Sequence, residues 1–123
     1  MAVSTSQIAE QFTALCKQGK LDEAGERYWA DNVVSLEPID GEMARVKGRD
    51  AVRAKSEQWF QAHDLHQVKV DGPQVNGEQF IVHYSIDATD KKSGQRQHME
   101  EEALYTVANG KIVEERFFFS QPH

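Results

Sequence analysis

Apolar residues recur at helical spacing along the first half of the chain and at alternate positions along the second half. The helical spacing predicts three helices. The first opens with Ser4-x-x-Gln7, which has the form of a capping box, and Gly19 ends it. A second helix is expected over residues 21–29, and a third begins at Asp50, which can cap it. The stripe of the third helix consists of Val52, Ser56, Trp59, Phe60 and His63.

Beyond the third helix the period changes to two, which is the alternation of side chains along a strand. One strand is expected earlier, at residues 33–37, where Pro38 ends it before a loop over residues 39–48. The later strands are expected at residues 66–71, ended by Gly72-Pro73, and at residues 80–88, 96–107 and 112–120. The last of these are joined by a polar hairpin loop at residues 90–95 and a tight turn at residues 108–110.

The order of these elements predicts a single α+β domain over residues 1–123. Three N-terminal helices followed by a meander of long strands are typical of helices packed on one face of an antiparallel sheet. A sheet of few but long strands is expected to be strongly curved rather than flat. The concave side, roofed by the helices, is a usual place for a small-molecule ligand.

Composition narrows the choice of partners. The 123 residues include 14 Lys and Arg against 20 Asp and Glu, a formal net charge of −6. Binding of nucleic acid needs a basic stripe that this sequence lacks. The single cysteine, Cys16, excludes an intrachain disulfide. Without a secretory signal or an apolar run approaching about 18 residues, the chain is expected to be cytoplasmic and not to interact with membranes.

No known cofactor motif is present in the sequence. It has no dinucleotide fingerprint, no glycine loop for phosphates and no Gly-x-Ser-x-Gly elbow, so chemistry without a cofactor is expected. The pair His63-x-x-His66 invites a zinc interpretation, but a catalytic zinc needs three protein ligands and no third one can be named. No metal site is therefore predicted, and His63 is interpreted as a proton-transfer or hydrogen-bonding group of the pocket.

Glu37 is the first candidate catalytic residue. It ends the strand 33–37, which is otherwise mostly apolar. A carboxylate on the cavity side of such a strand would have its pKa raised by desolvation, which suits a general base or acid near neutral pH. The alternative is a strand-end carboxylate that faces solvent or forms a salt bridge with Arg45 or Arg49.

The run Glu100-Glu101-Glu102 cannot all face one way, because side chains alternate along a strand. A three-residue loop at residues 108–110 would place Glu101 on the same face as Glu115 and the aromatic residues of the last strand. A two-residue turn would instead point Glu102 inward. Glu37 and Glu101 in one pocket could have pKa values pushed apart, which would divide the roles of acid and base.

The aromatic residues are interpreted first as core, since buried aromatic side chains usually only pack. Some of them are nevertheless expected to reach a ligand, Trp59 and Tyr84 above all, because each offers a polar atom beside an apolar ring. The residues predicted to bind the ligand are Tyr28, Trp59, Tyr84, Glu115 and Phe117.

Two stretches carry a resemblance to a known family. Residues 28–38 (YWADNVVSLEP) and 109–118 (NGKIVEERFF), with the order of elements, resemble the SnoaL-like branch of the nuclear-transport-factor-2-like superfamily. Trp59-Phe60-x-x-His63-x-x-His66 is similar to the pattern of a bacterial SnoaL-like subgroup. The resemblance implies a cystatin-like cone with a small-molecule pocket. It also implies a homodimer, in which the outer sheet face, with Phe118, packs on a second copy; Val34 and Leu36 would contribute if they face outward.

Ketosteroid isomerase is a catalytic relative that allows comparison by residue. The pair Glu37-Pro38 resembles the Asp-Pro pair whose Asp moves the substrate proton in that enzyme. Phe12 falls near the position of its oxyanion-hole Tyr and has no hydroxyl, so ketosteroid isomerisation itself is not implied. The resemblance implies a cofactor-independent acid–base enzyme of isomerase, cyclase or dehydratase type, acting on a small apolar metabolite. The alternatives are a non-catalytic ligand-binding protein and a homodimeric interaction module.

Overall fold

The computed structural model describes residues 4–120, which form three α-helices and six β-strands. The α+β class predicted from the sequence is confirmed, with the helices packed on a mixed sheet. The helices are α1 (Thr5–Lys17), α2 (Leu21–Tyr28) and α3 (Arg49–Ala62), and a short 3-10 helix spans Glu42–Ala44. The strands are β1 (Trp29–Leu36), β2 (Arg45–Lys47), β3 (His63–Asn76), β4 (Gln79–Asp90), β5 (Arg96–Ala108) and β6 (Lys111–Phe118).

The six strands form one sheet in the order β2-β1-β6-β5-β4-β3. Every neighbouring pair is antiparallel except β1 and β6, which run parallel. The expectation of an entirely antiparallel sheet is therefore wrong at this one pair. Between β1 and β6 the chain passes through α3 and the whole meander, and a parallel pairing requires such a long connection.

The helix starts follow local chemistry, with one correction. At α1 the predicted capping box is present, because the Gln7 N–H donates to Ser4 Oγ at 3.1 Å and the Ser4 N–H donates to Gln7 Oε1 at 3.0 Å. At α3 the predicted cap by Asp50 is wrong. The helix begins at Arg49, so Asp50 lies inside its first turn and accepts a hydrogen bond from Arg53 instead.

Two strand predictions also need correction. The expected loop over residues 39–48 contains β2, which pairs with β1. The expected strand end at Gly72-Pro73 does not occur, and β3 continues to Asn76 after a register shift between Asp71 and Gln74. Proline is tolerated there because β3 is an edge strand and the shift is a local irregularity of the ladder.

The turn between β5 and β6 decides which side chains face the helices. It has two residues, Asn109 and Gly110, both with positive φ (53° and 76°), so the predicted three-residue loop is wrong. The ladder then shifts by one residue at Val113, and beyond it Tyr105 pairs with Glu115. This bulge places the later side chains of β6 on the same faces of the sheet that a three-residue loop would have given them. The face predicted for Glu101 is therefore correct although the turn was not.

The hydrophobic core lies between the helices and the inner face of the sheet. From β4 and β5 it includes Phe80, Val82, Tyr84, Ala103 and Tyr105, which alternate with more exposed residues as predicted. The largest fully buried side chains also include Ile8, Val33, Val52, Met99 and Ile112. None of the helices within residues 4–120 is long and apolar enough to cross a membrane.

Gly25 in α2 makes room for the indole of Trp29. A Cβ atom added at Gly25 would lie 2.6 Å from two carbon atoms of that ring, and Trp29 is only 7% exposed. We expect Gly25→Ala to lower the free energy of unfolding by about 1–2 kcal/mol, because overpacking outweighs the gain in helix propensity. Urea denaturation would measure the loss. Glu23→Ala, an exposed change in the same helix, should stay within about 0.5 kcal/mol of the parent. A Gly25→Ala protein as stable as the parent would contradict this account.

Candidate functional site

A cavity of about 460 Å³ lies between α3 and the inner face of the sheet. Its walls are mainly apolar, and its lining includes Phe12, Val52, Trp59, Phe60, Val68, Ile86 and Phe117. Charged and polar side chains from α3, from four strands and from the residue after β1 also reach it, among them Glu37, Lys55, His63, Tyr84, Glu101 and Glu115. An apolar cavity with a few converging polar groups is the usual form of a small-molecule site.

Glu115 is the buried anchor of the polar groups. It is 6% exposed, and its carboxylate accepts hydrogen bonds from Trp29 Nε1 at 2.9 Å and from Ser35 Oγ at 2.8 Å. Burial raises its pKa, and the two donors, together with the charge of Lys55, oppose that rise. Trp29 and Ser35 belong to β1, so Glu115 ties the parallel pair β1–β6 together at the floor of the site.

Lys55 of α3 joins Glu115 to Glu37. Its ammonium donates to Ser35 Oγ at 2.7 Å and lies 3.3 Å from Glu37 Oε2. It also lies 5.4 Å from the ring centroid of Phe117. Only 13% of the Lys55 side chain and 21% of the Glu37 side chain are exposed. The cation at the cavity wall is thus held by two acceptors from the β1 side.

Sequence reasoning missed Lys55, although a signal was present. Position 55 lies three residues after Val52 and four before Trp59, so it belongs to the predicted stripe of the third helix. A lysine on an apolar helix face indicates a buried acidic partner, since lysine is almost never fully buried unless paired. The partner of Glu37 is this residue, and neither Arg45 nor Arg49.

Glu101 of β5 faces the cavity, opposite Tyr84 in the β4–β5 ladder. Its pKa rises to about 7, first because burial disfavours the charged form, and then because the charges of Glu37 and Glu115 lie nearby. Lys55 and His83 act in the opposite direction but do not outweigh these effects. Near neutral pH the Glu101 carboxyl can therefore both accept and donate a proton.

The two neighbours of Glu101 point to the other face of the sheet. Glu100 and Glu102 both contact the imidazole of His83, at 3.2 Å and 2.5 Å. Their side chains are 58% and 50% exposed, as expected for the solvated part of the charge run. The hydrogen bonds that His83 donates to these carboxylates, the one to Glu102 above all, raise the pKa of His83.

His63 follows α3 and lines the cavity beside Trp59. The two rings stack, with centroids 4.2 Å apart and an interplanar angle of 15°, and His63 Nδ1 lies 2.8 Å from the Trp59 carbonyl oxygen. His66 is not part of this group, because its Nε2 contacts Thr89 Oγ1 at 2.7 Å. Among residues 4–120 no group of three or more His, Cys, Asp and Glu side chains could hold a metal ion.

Tyr84 and Tyr105 form a buried hydroxyl pair on the cavity wall. Their hydroxyl oxygens lie 2.7 Å apart, and Cys16 Sγ lies 3.6 Å from that of Tyr84. Burial raises the pKa of both tyrosines and raises the pKa of Cys16 to about 11, so all three stay protonated at neutral pH. Sequence reasoning named Tyr84 as a ligand contact, but it left Tyr105 in the core.

Tyr28 lies away from the other predicted ligand contacts. Its side chain is not part of the cavity lining, and its hydroxyl donates to Gln11 Oε1 between α2 and α1. The reason is its position at the end of α2, where the ring packs edge-on against Phe12. Trp59, Glu115 and Phe117, in contrast, all line the cavity.

Glu101 is expected to make stability depend on pH. Its pKa is about 7 in the folded protein against an ordinary 4.5, so the folded state binds the proton more tightly than the unfolded state. The free energy of unfolding should therefore fall as pH rises from about 4.5 to 7, by up to about 3 kcal/mol, and then level off. Glu101→Gln should remove this slope and stabilise the protein at pH 8 by about 1–3 kcal/mol.

Urea denaturation at pH 5 and pH 8 measures both effects. Glu100→Gln is the matched control, since the neighbouring carboxylate lies on the exposed face and should leave the slope in place. A Glu101→Gln protein that keeps the parent's pH slope, or loses stability at pH 8, would contradict this assignment.

Comparison with known proteins identifies the family to which this chain belongs. The SnoaL-like domain family matches residues 3–119. A crystal structure from Mesorhizobium loti is 45% identical, with a TM-score of 0.93 over 95% of this chain and 100% of that one. Its name proposes a SnoaL-like polyketide cyclase and also gives carbohydrate phosphatase. No protein of curated function matches the chain.

More distant structures share the fold alone. A protein from Bacillus subtilis whose name proposes an isomerase is 17% identical, with a TM-score of 0.73 over 96% of this chain and 90% of that one. A protein of unknown function with a cystatin-like fold, from Xanthomonas campestris, is 16% identical with a TM-score of 0.79 over 97% and 92%. A nuclear-transport-factor-2-like protein from Burkholderia xenovorans is 16% identical, with a TM-score of 0.75 over 94% of this chain and 88% of that one. With the family match over nearly its whole length, the chain belongs to the SnoaL-like domain family, and it has the nuclear-transport-factor-2-like fold.

Proposed function

We propose that this protein is a cofactor-independent acid–base enzyme that acts on a small apolar carbonyl compound. The observation that carries the proposal is Glu101, a carboxyl group with a pKa of about 7 that faces a largely apolar cavity of about 460 Å³. A general acid or base works best when its pKa is close to the working pH. Perturbed carboxyl groups in cavities are a recognised mark of such sites.

The chemistry is a proton transfer at carbon. Ionised Glu101 removes a proton from a carbon atom next to the substrate carbonyl, and the electron pair moves onto the carbonyl oxygen as an enolate. The ammonium of Lys55 is the positive charge on the cavity wall that can stabilise this oxygen. Where a carbon–carbon double bond of the substrate is conjugated with this enolate, protonated Glu101 then gives its proton to the far carbon of that double bond, which completes an isomerisation. Alternatively, the enolate carbon bonds to a second carbonyl carbon, whose oxygen takes the proton in an aldol-type cyclisation.

This proposal changes the role of Glu37. Sequence reasoning named it as the base, but its carboxylate lies 3.3 Å from the Lys55 ammonium. This ion pair holds the carboxylate at the ammonium and not at a substrate carbon. Glu37 is therefore assigned to holding Lys55, and Glu101 takes the role of base. His63, which stacks on Trp59 in the cavity lining, remains a candidate second proton carrier.

The charges of the cavity also bear on the kind of substrate. Three carboxyl groups from Glu37, Glu101 and Glu115 face a single Lys55. A phosphate ester would bring a further negative charge into this group with one cation to balance it. Of the two activities in the name of the Mesorhizobium loti protein, the arrangement therefore favours cyclase chemistry over phosphatase chemistry.

Hydrogen exchange at carbon tests the proposal without knowledge of the natural substrate. Apolar cyclic ketones such as 2-tetralone would be incubated with the protein in D₂O, and deuterium at the α-carbon would be followed by NMR. We expect exchange that rises with pH to about 7 and then levels off. Glu101→Gln should slow it on the order of a hundredfold. Glu100→Gln should exchange like the parent, and equal rates for the parent and Glu101→Gln would contradict the proposal.

A non-catalytic binding protein is the second candidate. It is favoured by the pairing of Glu37 with Lys55 and of Glu115 with Trp29 and Ser35, which leaves these two carboxylates with structural roles. Ketone binding to the cavity without α-carbon exchange would support this function over catalysis.

We also propose that the protein forms a homodimer through the outer face of the sheet. Phe118 and Ile81 are 50% and 41% exposed there, and both line a groove on that face. Val34 and Leu36 alternate with buried Val33 and Ser35, so they lie on the same outer face. Such apolar exposure is typical of interaction surfaces.

Light scattering coupled to size exclusion, at several protein concentrations, tests dimerisation. The parent protein should have twice the mass of the chain, and Phe118→Glu should shift it toward the monomer, because a charge would be buried at the interface. Val75→Glu is the control, since Val75 is similarly exposed at 39% but pairs with Phe80 on the inner face. A parent protein that stays monomeric at high concentration would contradict the proposal.

A further inference from the structure

Among the described residues that line the cavity, Lys55 is the only lysine or arginine. Its position suits a covalent role as well as electrostatic stabilisation. Its nitrogen is held by Ser35 Oγ at 2.7 Å and Glu37 Oε2 at 3.3 Å. The ring of Phe117, 5.4 Å away, borders it on the cavity side. Fixed side-chain position beside an apolar binding space is what a nucleophilic amine needs to meet a bound carbonyl carbon.

We propose that Lys55 is a covalent, Schiff-base-forming residue for an apolar aldehyde or ketone bound in the cavity. This inference rests on the proposed function, because it gives the acid–base site its substrate class and a covalent intermediate. The iminium places a positive charge on the substrate itself, which makes the adjacent carbon atom more acidic than an enolate-stabilising ammonium would.

The step balances with groups already at the site. The Lys55 ammonium first passes a proton to Glu37, whose carboxylate lies 3.3 Å away. The nitrogen lone pair bonds to the carbonyl carbon, and protonated Glu101 gives its proton to the carbonyl oxygen. The Glu101 carboxylate formed in this way then takes one proton from the attacking nitrogen, which leaves a neutral carbinolamine. The carbinolamine then loses this oxygen as water, with a second proton returned from Glu37, and leaves an iminium on Lys55. Hydrolysis runs the same steps backward, and no oxidant or reductant takes part.

The neighbouring carboxylates take part on both sides of this step. Attack needs the neutral amine, so it follows the proton transfer to Glu37. The carboxylates then stabilise the iminium, because it carries a positive charge at the place where the ammonium stood. Glu101 near its pKa at neutral pH provides a protonated carboxyl for carbinolamine formation and a carboxylate for removing the α-proton.

Reductive trapping tests the proposal on the unmodified protein. The parent chain would be treated at pH 7 with one equivalent of hydrocinnamaldehyde and sodium cyanoborohydride, and the labelled lysine would be located by peptide mass spectrometry. We expect Lys55 to be labelled at least about tenfold faster than Lys91, because a bound aldehyde has a high effective concentration. Lys91 is an internal control, since its side chain is 51% exposed. Labelling of Lys55 no faster than Lys91 would overturn the proposal.

Two variants separate the covalent role from the electrostatic one. Lys55→Arg keeps a cation beside Glu37 but cannot form a Schiff base. It should lose α-carbon exchange about as far as Glu101→Gln does, whereas a purely electrostatic Lys55 would leave Lys55→Arg largely active. Exchange in the parent without labelling of Lys55 would overturn this inference and leave the proposed acid–base function standing. Labelling of Lys55 without α-carbon exchange would contradict the proposed acid–base function and leave Schiff-base formation at Lys55 standing.

Discussion

The buried carboxylate of Glu115 is the constraint on which the rest of the site depends. A carboxylate with 6% exposure is tolerated only when donors surround it, and here Trp29 and Ser35 of β1 supply them. The Ser35 hydroxyl oxygen also accepts a hydrogen bond from the Lys55 ammonium. A chain of hydrogen bonds therefore connects β6, β1 and α3. One buried charge thereby fixes the positions of a strand pair, a helix and the cation that borders the cavity.

The crowding of carboxyl groups around one lysine opposes folding while it equips the site. Glu101 gains its raised pKa from burial and from the charges of Glu37 and Glu115, and the same interactions destabilise the folded protein when Glu101 ionises. A protein selected for stability alone would place an amide or an apolar residue there. Retained electrostatic strain at a cavity wall is the pattern expected where stability is exchanged for reactivity.

The periodicity of apolar residues predicted much of the fold, because the apolar stripe of a helix and the alternation of a strand are local properties of the sequence. The three helices, the alternation of β4 and β5 and the inward position of Glu101 all follow from it. The parallel pairing of β1 with β6 did not, since it joins segments far apart in the chain and no local pattern encodes it. Lys55 was missed for a related reason: its meaning depends on Glu37 and Ser35, which only the tertiary fold brings beside it.

The bulge at Val113 helps to decide which side chains of β6 face the cavity. The two-residue turn and the single extra residue of β6 together set which of every two side chains looks into the cavity. Loss or gain of two residues at this hairpin would leave that choice intact, whereas a change of one would exchange Glu115 for Arg116 or Glu114. Relatives that differ in the length of this hairpin should therefore differ by an even number of residues. An odd number would replace buried Glu115 with a more exposed neighbour.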